Sequence, residues 1–459
     1  MPARRTSEAP APPAVVVAIG LILIGAYVSV ALVLMDRTSF DVWGAVILAP
    51  VLLALSVPIL RRQAAREGDP ALFRLLLFAL VVKLVGGVIR YYVAFSVYGG
   101  NADATRYHNA GLALAEPFRH LDFSGFHFDT GTPFMDVITG VVYAIIWPSK
   151  MGGFLFFSWL GFWGLFFCYR AFVIGVPEGR RRPYAYLLFF MPSLLFWPSG
   201  IGKEAWMMFG LGIAAYGVAK ILAHDVWRGL VACGLGLWLA GMIRPHMAAL
   251  IGVSLAAAVI TRKSRTGLRE LTPIVKGGTI VAVAILAAAL VVRTDRFLQG
   301  AGIDTSEGVS STLTDVESRT AEGGSEFAPS IVDSPLRAPV AIVTVLFRPF
   351  VFETHNLQSL LAAIEGTALL VLCLIRLRWL WAAVRSLRRL PYVVYSLTFS
   401  ALFIVAYSSY ANFGLLARQR VQLYPLFFVL LSIPPVTDRR ASSVGSIGPK
   451  QPARDTVPV

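Results

Sequence analysis

Residues 152–182 read GGFLFFSWLGFWGLFFCYRAFVIGVPEGRRR. The apolar part is long enough to cross a bilayer, whose hydrocarbon core takes about 20 residues of helix. The closing Arg180, Arg181 and Arg182 mark the side on which it ends, because cytoplasmic loops carry an excess of Lys and Arg. Working outward, further apolar runs lie near 14–35, 42–60, 71–95, 183–199, 204–222, 228–243, 247–261, 275–293, 357–377, 391–410 and 421–435. Together they predict an all-α polytopic membrane protein with about 12 transmembrane helices.

Composition points the same way. The 459 residues are 56% hydrophobic and only 15% charged, less charge than a soluble chain of this length carries. The net charge of +15 is what basic cytoplasmic loops produce, and nothing in it calls for a nucleic-acid partner. Cys168, Cys233 and Cys373 each stand alone in an apolar run, which excludes a disulfide framework or a zinc site of recognisable spacing. Residues 1–13, rich in Pro and Ala, read as a disordered cytoplasmic arm. The run that follows is too long for a signal-peptide core and is read as a retained first span. Residues 14–435 form the membrane domain, and the polar stretch 436–459 reads as a disordered cytoplasmic tail. The chain shows no internal repeat and no soluble domain of any size.

With the N-terminus inside, the inner loops hold Arg61, Arg62 and Arg66; Arg180–Arg182; Arg262, Lys263, Arg265 and Arg269; Arg376, Arg378, Arg385, Arg388 and Arg389; and Arg439 and Arg440. This is a positive-inside pattern for a multi-pass protein of the plasma (inner) membrane with both termini cytoplasmic. The outer loops are 96–151 and 294–356, and the stretch 294–337 carries eight acids against three Arg. The short apolar runs 134–148 and 338–352 break the alternation if counted as crossings. They are therefore read as interfacial or re-entrant helices on the outer face. Segment 104–120 is read as an amphipathic helix there, with Tyr107, Leu112, Leu114 and Phe118 on its apolar side.

This topology puts five polar clusters on one face: Asn101-Ala-Asp103-Ala-Thr-Arg106-Tyr107-His108, Gly202-Lys203-Glu204, Arg244-Pro245-His246, Arg348-Pro349 and Arg418-Gln419-Arg420. Asp103 is placed either to accept a proton from an acceptor hydroxyl or to cap the helix that follows. Lys203 is a point charge suited to phosphate, whereas Glu204 also fits the first turn of the next helix through the dipole. Arg244 can fork onto phosphate oxygens beside His246 as a donor, or the tripeptide is a connector in which proline ends one helix. Arg348, Arg418 and Arg420 are basic on the side where charge bias makes them least expected; the alternative is interfacial snorkelling. Arg418 and Arg420 diverge by about 200° on a regular helix, so both face one site only if the segment is irregular. Lys83 and Arg90 share a face of the third span, where Lys83 is placed to pair with Glu365 or to take part in chemistry. Tyr107 and His108 complete the candidate binding set. No cofactor is named by the sequence. His108, His120, His127 and His355 lack i, i+4 metal spacing, so a divalent metal would have to be assembled in three dimensions.

The layout resembles the GT-C-type group of polytopic glycosyltransferases, which use polyprenyl-phosphate-linked sugars. A span leads into a long outer loop with an acid near its start, Asp103 in Asp-Ala-Thr-Arg-Tyr. An interfacial helix opened by Thr132-Pro133 follows, then a span ending at Arg180–Arg182 and a ladder of short-looped helices. The likeness covers about 71–260 and is one of fold group. It departs from the group in lacking paired acids, since Ala104 follows Asp103, and in lacking a large C-terminal soluble domain. The resemblance implies a polyprenyl-phosphate-linked sugar donor, a glycan, lipid or protein acceptor in the cell envelope, and Asp103 as base. It places the donor phosphate among Lys203, Arg244, Arg418 and Arg420. Two other functions remain open on the residues. A polysaccharide polymerase or ligase acting on polyprenyl-diphosphate glycans would rest on Arg244, His246, Arg418 and Arg420, with Asp103 dispensable. A transporter or flippase for a lipid-linked or anionic solute would place charges at the bilayer midplane, in discontinuous helices.

Overall fold

The computed structural model describes residues 14–435, apart from 101, 125–127, 224, most of 263–308, 322–325, 333 and 355. The expected terminal arm and tail, and most of the expected span 275–293, lie outside the described residues. The chain opens with α1 (Ala14–Arg37), α2 (Phe40–Glu67) and α3 (Pro70–Tyr92), the last continued by a π turn over Val93–Val97. Then come α4 (Asp103–Arg119), α5 (Thr132–Ile146), α6 (Lys150–Gly175), α7 (Arg181–Phe190), α8 (Pro192–Phe196), α9 (Lys203–Leu222), α10 (Val226–Ile243) and α11 (Pro245–Thr261). After the undescribed stretch follow α12 (Val309–Thr320), α13 (Ala338–Phe347), α14 (Leu357–Ile375), α15 (Leu377–Ser386), α16 (Pro391–Tyr407), α17 (Phe413–Gln419) and α18 (Tyr424–Leu430).

Prolines set many of these boundaries. Asp69, Met191, Arg244 and Leu390 precede prolines and are extended, with ψ of 94°, 124°, 91° and 90°. The residue before proline is pushed out of the helical region, so α3, α8, α11 and α16 each begin at one. Side-chain caps fix other starts: Ser149 accepts from the Gly152 amide at 2.9 Å, and Asn412 from the Leu415 amide at 3.1 Å.

Among the described residues, seven helices are long and apolar enough to cross a membrane: α1, α2, α3, α6, α9, α10 and α14. An eighth is added if α15 and α16, bent by 117°, count as one span. The described residues form an all-α, membrane-embedded fold, and fewer of their helices are full-length spans than the sequence runs imply. The run 183–199 is broken at Pro192, the helix of 247–261 has 17 residues, and the run 421–435 holds a helix of only seven. That last stretch is buried from Arg420 to Ile433. Irregular backbone at membrane depth is tolerated when protein rather than lipid surrounds it. The 15 residues of α5 reach about 22 Å, short of a 30 Å core, and α13 has only 10. Neither counts as a full span.

Two ends of the bundle differ in charge. Arg181 and Arg182 meet Glu67 and Asp69 of the α2–α3 turn at 3.0 and 3.1 Å. Arg389 meets Glu178 at 3.2 Å, and Arg376 donates to the Leu431 carbonyl at 2.9 Å. Arg262 caps α9 through the Ile221 carbonyl at 3.2 Å. The arginine-rich loops thus gather at one end. Asp103 lies beyond the far end of α3, about 40 Å away along a helix of 28 residues.

Glycines bring α6, α9 and α10 into backbone contact. A Cβ on Gly212 would overlap the Gly164 carbonyl, and one on Gly217 the Cys233 amide; Gly234 faces open space. In lipid, close approach of small residues drives helix association. G212A and G217A are expected to lose about 1–3 kcal/mol, whereas G234A stays within about 0.5 kcal/mol of wild type. Thermal denaturation in detergent reads the difference; equal melting of all three would contradict backbone contact at these glycines.

Candidate functional site

At the end away from the arginine-rich loops lies a cavity of about 520 Å³, lined by Arg90, Tyr98, Asp103, Trp197, Glu204 and Arg418 among others. Each side chain arrives from a helix end or break. Asp103 is the first residue of α4; the cap position is Ala102, which makes no side-chain cap bond. Asp103 therefore does not act as the cap. Glu204 sits in the first turn of α9, 3% exposed, where a carboxylate suits the helix dipole. Arg418 comes from the last turn of α17, and Arg244 from the break between α10 and α11.

Arg418 Nη2 donates to Asp103 Oδ2 at 2.8 Å and to Glu204 Oε2 at 3.0 Å. Its Nε lies 2.7 Å from Glu204 Oε1 but off the hydrogen-bond direction, so that contact is electrostatic. Arg244 reaches the same Oε1 at 3.4 Å through Nη2, and its Nη1 donates to Gln419 Oε1. Glu204 thus receives two guanidinium groups, while Asp103 shares one and keeps 57% of its side chain exposed. Burial works to lower the Arg418 pKa, but the Glu204 and Asp103 carboxylates outweigh it and raise the pKa, so the guanidinium stays charged. Three arginines, Arg90, Arg106 and Arg418, and two carboxylates line the cavity, an excess of one positive charge, with Arg106 also paired to Asp136 at 3.5 Å.

Arg90 is the part of the site that the sequence placed on a helix face without assigning it a role. Its guanidinium lies 4.6 Å from the Phe196 ring centroid and 4.5 Å from that of Trp197. No carboxylate within ion-pair distance of it is found among the described residues. The seven-residue step from Lys83 was its signal. Lys83 itself donates to the Leu194 carbonyl at 2.5 Å, and Glu365 accepts from the Ser193 amide at 2.6 Å. The expected Lys83–Glu365 pair is replaced by two separate bonds to the backbone of α8, where the Pro192 break leaves helix-end groups to satisfy. Gln419, which orients Arg244, stood in the sequence only as the residue between Arg418 and Arg420.

The remaining candidates face elsewhere. Lys203 donates to Thr132 Oγ1 at 2.7 Å and holds the start of α5. Tyr107, 2% exposed, packs in the core, where burial raises its phenol pKa. His108 Nδ1 lies 2.8 Å from the Tyr143 hydroxyl, and burial lowers the imidazole pKa, so it ties α4 to α5 in the neutral form. His246 Nε2 lies 3.2 Å from the Tyr407 hydroxyl. Arg348 forks onto Glu353 and lies 4.6 Å from the Phe327 ring centroid. Arg420 is fully buried and donates to the Leu346 and Arg348 carbonyls at 3.3 and 2.6 Å. It satisfies carbonyls at the C-terminal end of α13 that have no helical partner. The chain does turn irregular after Arg418, into a 3₁₀ turn over Arg420–Gln422, and that turn sends Arg420 away from the cavity. Among the described residues no group of three His, Cys, Asp or Glu is placed to hold a metal.

No protein family, curated protein or solved structure matches the chain.

The two carboxylates are expected to differ sharply in stability. E204Q removes the partner of two desolvated guanidinium groups, a loss of about 3–5 kcal/mol. D103N breaks one contact at a half-open site, worth about 0–1 kcal/mol. Thermal unfolding of the two purified variants measures this; a D103N loss as large as that of E204Q would contradict the division of labour.

Proposed function

We propose that the protein is a membrane glycosyltransferase that moves a sugar from a polyprenyl-phosphate-linked donor to a cell-envelope acceptor, with its site on the outer face. The observation that carries this reading is Arg418 held between a buried carboxylate, Glu204, and an open one, Asp103, at the lip of a net-positive cavity. A buried acid that fixes an arginine and an exposed acid beside it are two different tools. The first positions a cation for phosphate; the second is free to take a proton. In the transfer, the acceptor hydroxyl oxygen forms the bond to the anomeric carbon. The bond from that carbon to the phosphate oxygen breaks, and its electron pair leaves with the phosphate. The hydroxyl proton goes to Asp103. Arg418, with Arg90 beneath, stabilises the charge growing on the leaving phosphate. Arg244 acts through Glu204 and is a positioning residue. The roles in phosphate binding expected of Lys203 and Arg420 pass to Arg90.

The polymerase or ligase reading needs Arg244, His246, Arg418 and Arg420 around one substrate. Here His246 is engaged by Tyr407 and Arg420 by backbone carbonyls, which favours the single-sugar transferase. The transporter reading draws on the broken helices and on buried Lys83 and Glu365. Lys83 and one oxygen of Glu365 bond to the α8 backbone, which favours a role at the break over one with a passing solute.

Asp103→Asn in membranes supplied with prenyl-phosphate sugars is expected to lower transfer of label to envelope acceptor by at least about 10²-fold, the scale of a general base, with unchanged expression and melting. Full transfer by this variant would refute the base.

A further inference from the structure

The cavity holds cations in two different states. Arg418 is committed to carboxylates, whereas Arg90 lies against the Phe196 and Trp197 rings and has no carboxylate within ion-pair distance among the described residues. Both line the same cavity. Two long helices also begin there, α4 of 17 residues and α9 of 20, and neither has a side-chain cap bond at its start. Helix N-termini add donor amides and a positive dipole end to the two guanidinium groups. Guanidinium donors beside helix-start amides suit a phosphate group. A volume of about 520 Å³ leaves room for more than the phosphate alone, being within the usual range for small-molecule sites.

The two bonds of Arg418 are unequal. The Glu204 side chain is 4% exposed and touches Arg418 at two nitrogens; that of Asp103 is 57% exposed and touches one. A solvated ion pair is worth little, and breaking a buried one is costly. An incoming anion that needs an arginine donor therefore displaces Asp103 and not Glu204.

We propose that a phosphate group binds between Arg90 and Arg418 and takes the Arg418 Nη2 donor from Asp103, so that binding of the anion is what releases the Asp103 carboxylate. The release step rests on the transferase reading only for the use then made of the carboxylate; the exchange itself is a binding event. In the empty site Arg418 holds Asp103 engaged. Donor binding frees it, which ties the base to the presence of the donor and leaves bound water unactivated when the cavity is empty.

The consequence is a pair of effects of opposite sign. Asp103 competes with the anion for Arg418, so D103N is expected to bind farnesyl phosphate about two- to fivefold more tightly than wild type, the scale of a solvated ion pair. R90Q is expected to bind it at least about tenfold more weakly, the loss of one charge-assisted hydrogen bond. R90K, which keeps the charge and the ring contact, falls between. Titration calorimetry on the detergent-solubilised full chain measures all three, with circular dichroism confirming the helical fold. Farnesol and inorganic phosphate are the companion ligands. The same pattern with inorganic phosphate assigns recognition to the phosphate alone; the pattern with farnesyl phosphate only assigns it to the lipid-borne form. Farnesol binding as well as farnesyl phosphate, R90Q binding like wild type, or D103N binding equally or more weakly would each overturn the proposal. A wild-type protein that transfers no sugar would sink the transferase reading and leave these binding shifts intact, so the two failures are distinguishable.

Discussion

The ion pair between Arg418 and Glu204 is the constraint on which the site depends. Glu204 is nine-tenths or more buried and receives guanidinium groups from two different helix breaks. Desolvating three charges is costly unless each is answered. Here Glu204 answers Arg418 and Arg244, Gln419 accepts from Arg244 Nη1, and Asp103 accepts from Arg418 Nη2. This fixes α4, α9, α17 and the α10–α11 break to one another. Charge sets the geometry here, and the cavity is what remains beside it.

The surrounding fold serves the same arrangement. The glycine contacts of α6, α9 and α10 make a tight core that carries Glu204 at one end. The proline before each restarted helix exposes backbone groups, and buried charges are spent on them: Lys83 and Glu365 at α8, Arg420 at the end of α13. Broken helices are stable in this setting because protein surrounds the break. The same device that ends a helix early also delivers its terminal side chain to the bundle interior. Arg244 reaches Glu204 because Pro245 stops α10 at that depth.

Much of this was legible in the chain. Apolar runs, loop arginines and X-Pro steps gave an all-α membrane protein, and the arginine-rich loops do meet at one end through Arg181, Arg182 and Arg262. The helices over 103–119 and 132–146 stand close to the expected amphipathic segment 104–120 and the expected short apolar run 134–148. Asp103, Glu204, Arg244 and Arg418 were all singled out as polar interruptions, and they meet. What the sequence could not divide was partner from neighbour. Arg418 and Arg420 look alike in a string, but the 3₁₀ turn after Gln419 sends one to the cavity and the other to carbonyls. Among the described residues some expected crossings are not full-length helices, because a buried irregular segment such as 420–433 is as apolar as a span. The second carboxylate beside Asp103 was sought next to it in sequence and comes from α9 instead, a long-range pairing that no local pattern encodes.

A structure with a prenyl phosphate bound decides whether the anion displaces Asp103 from Arg418. Phosphate density is expected within hydrogen-bond reach of both Arg90 and Arg418, with Glu204 still paired and the Asp103 carboxylate parted from Nη2. Phosphate lodged elsewhere, or seated in the cavity with the Asp103–Arg418 contact intact, would contradict that displacement.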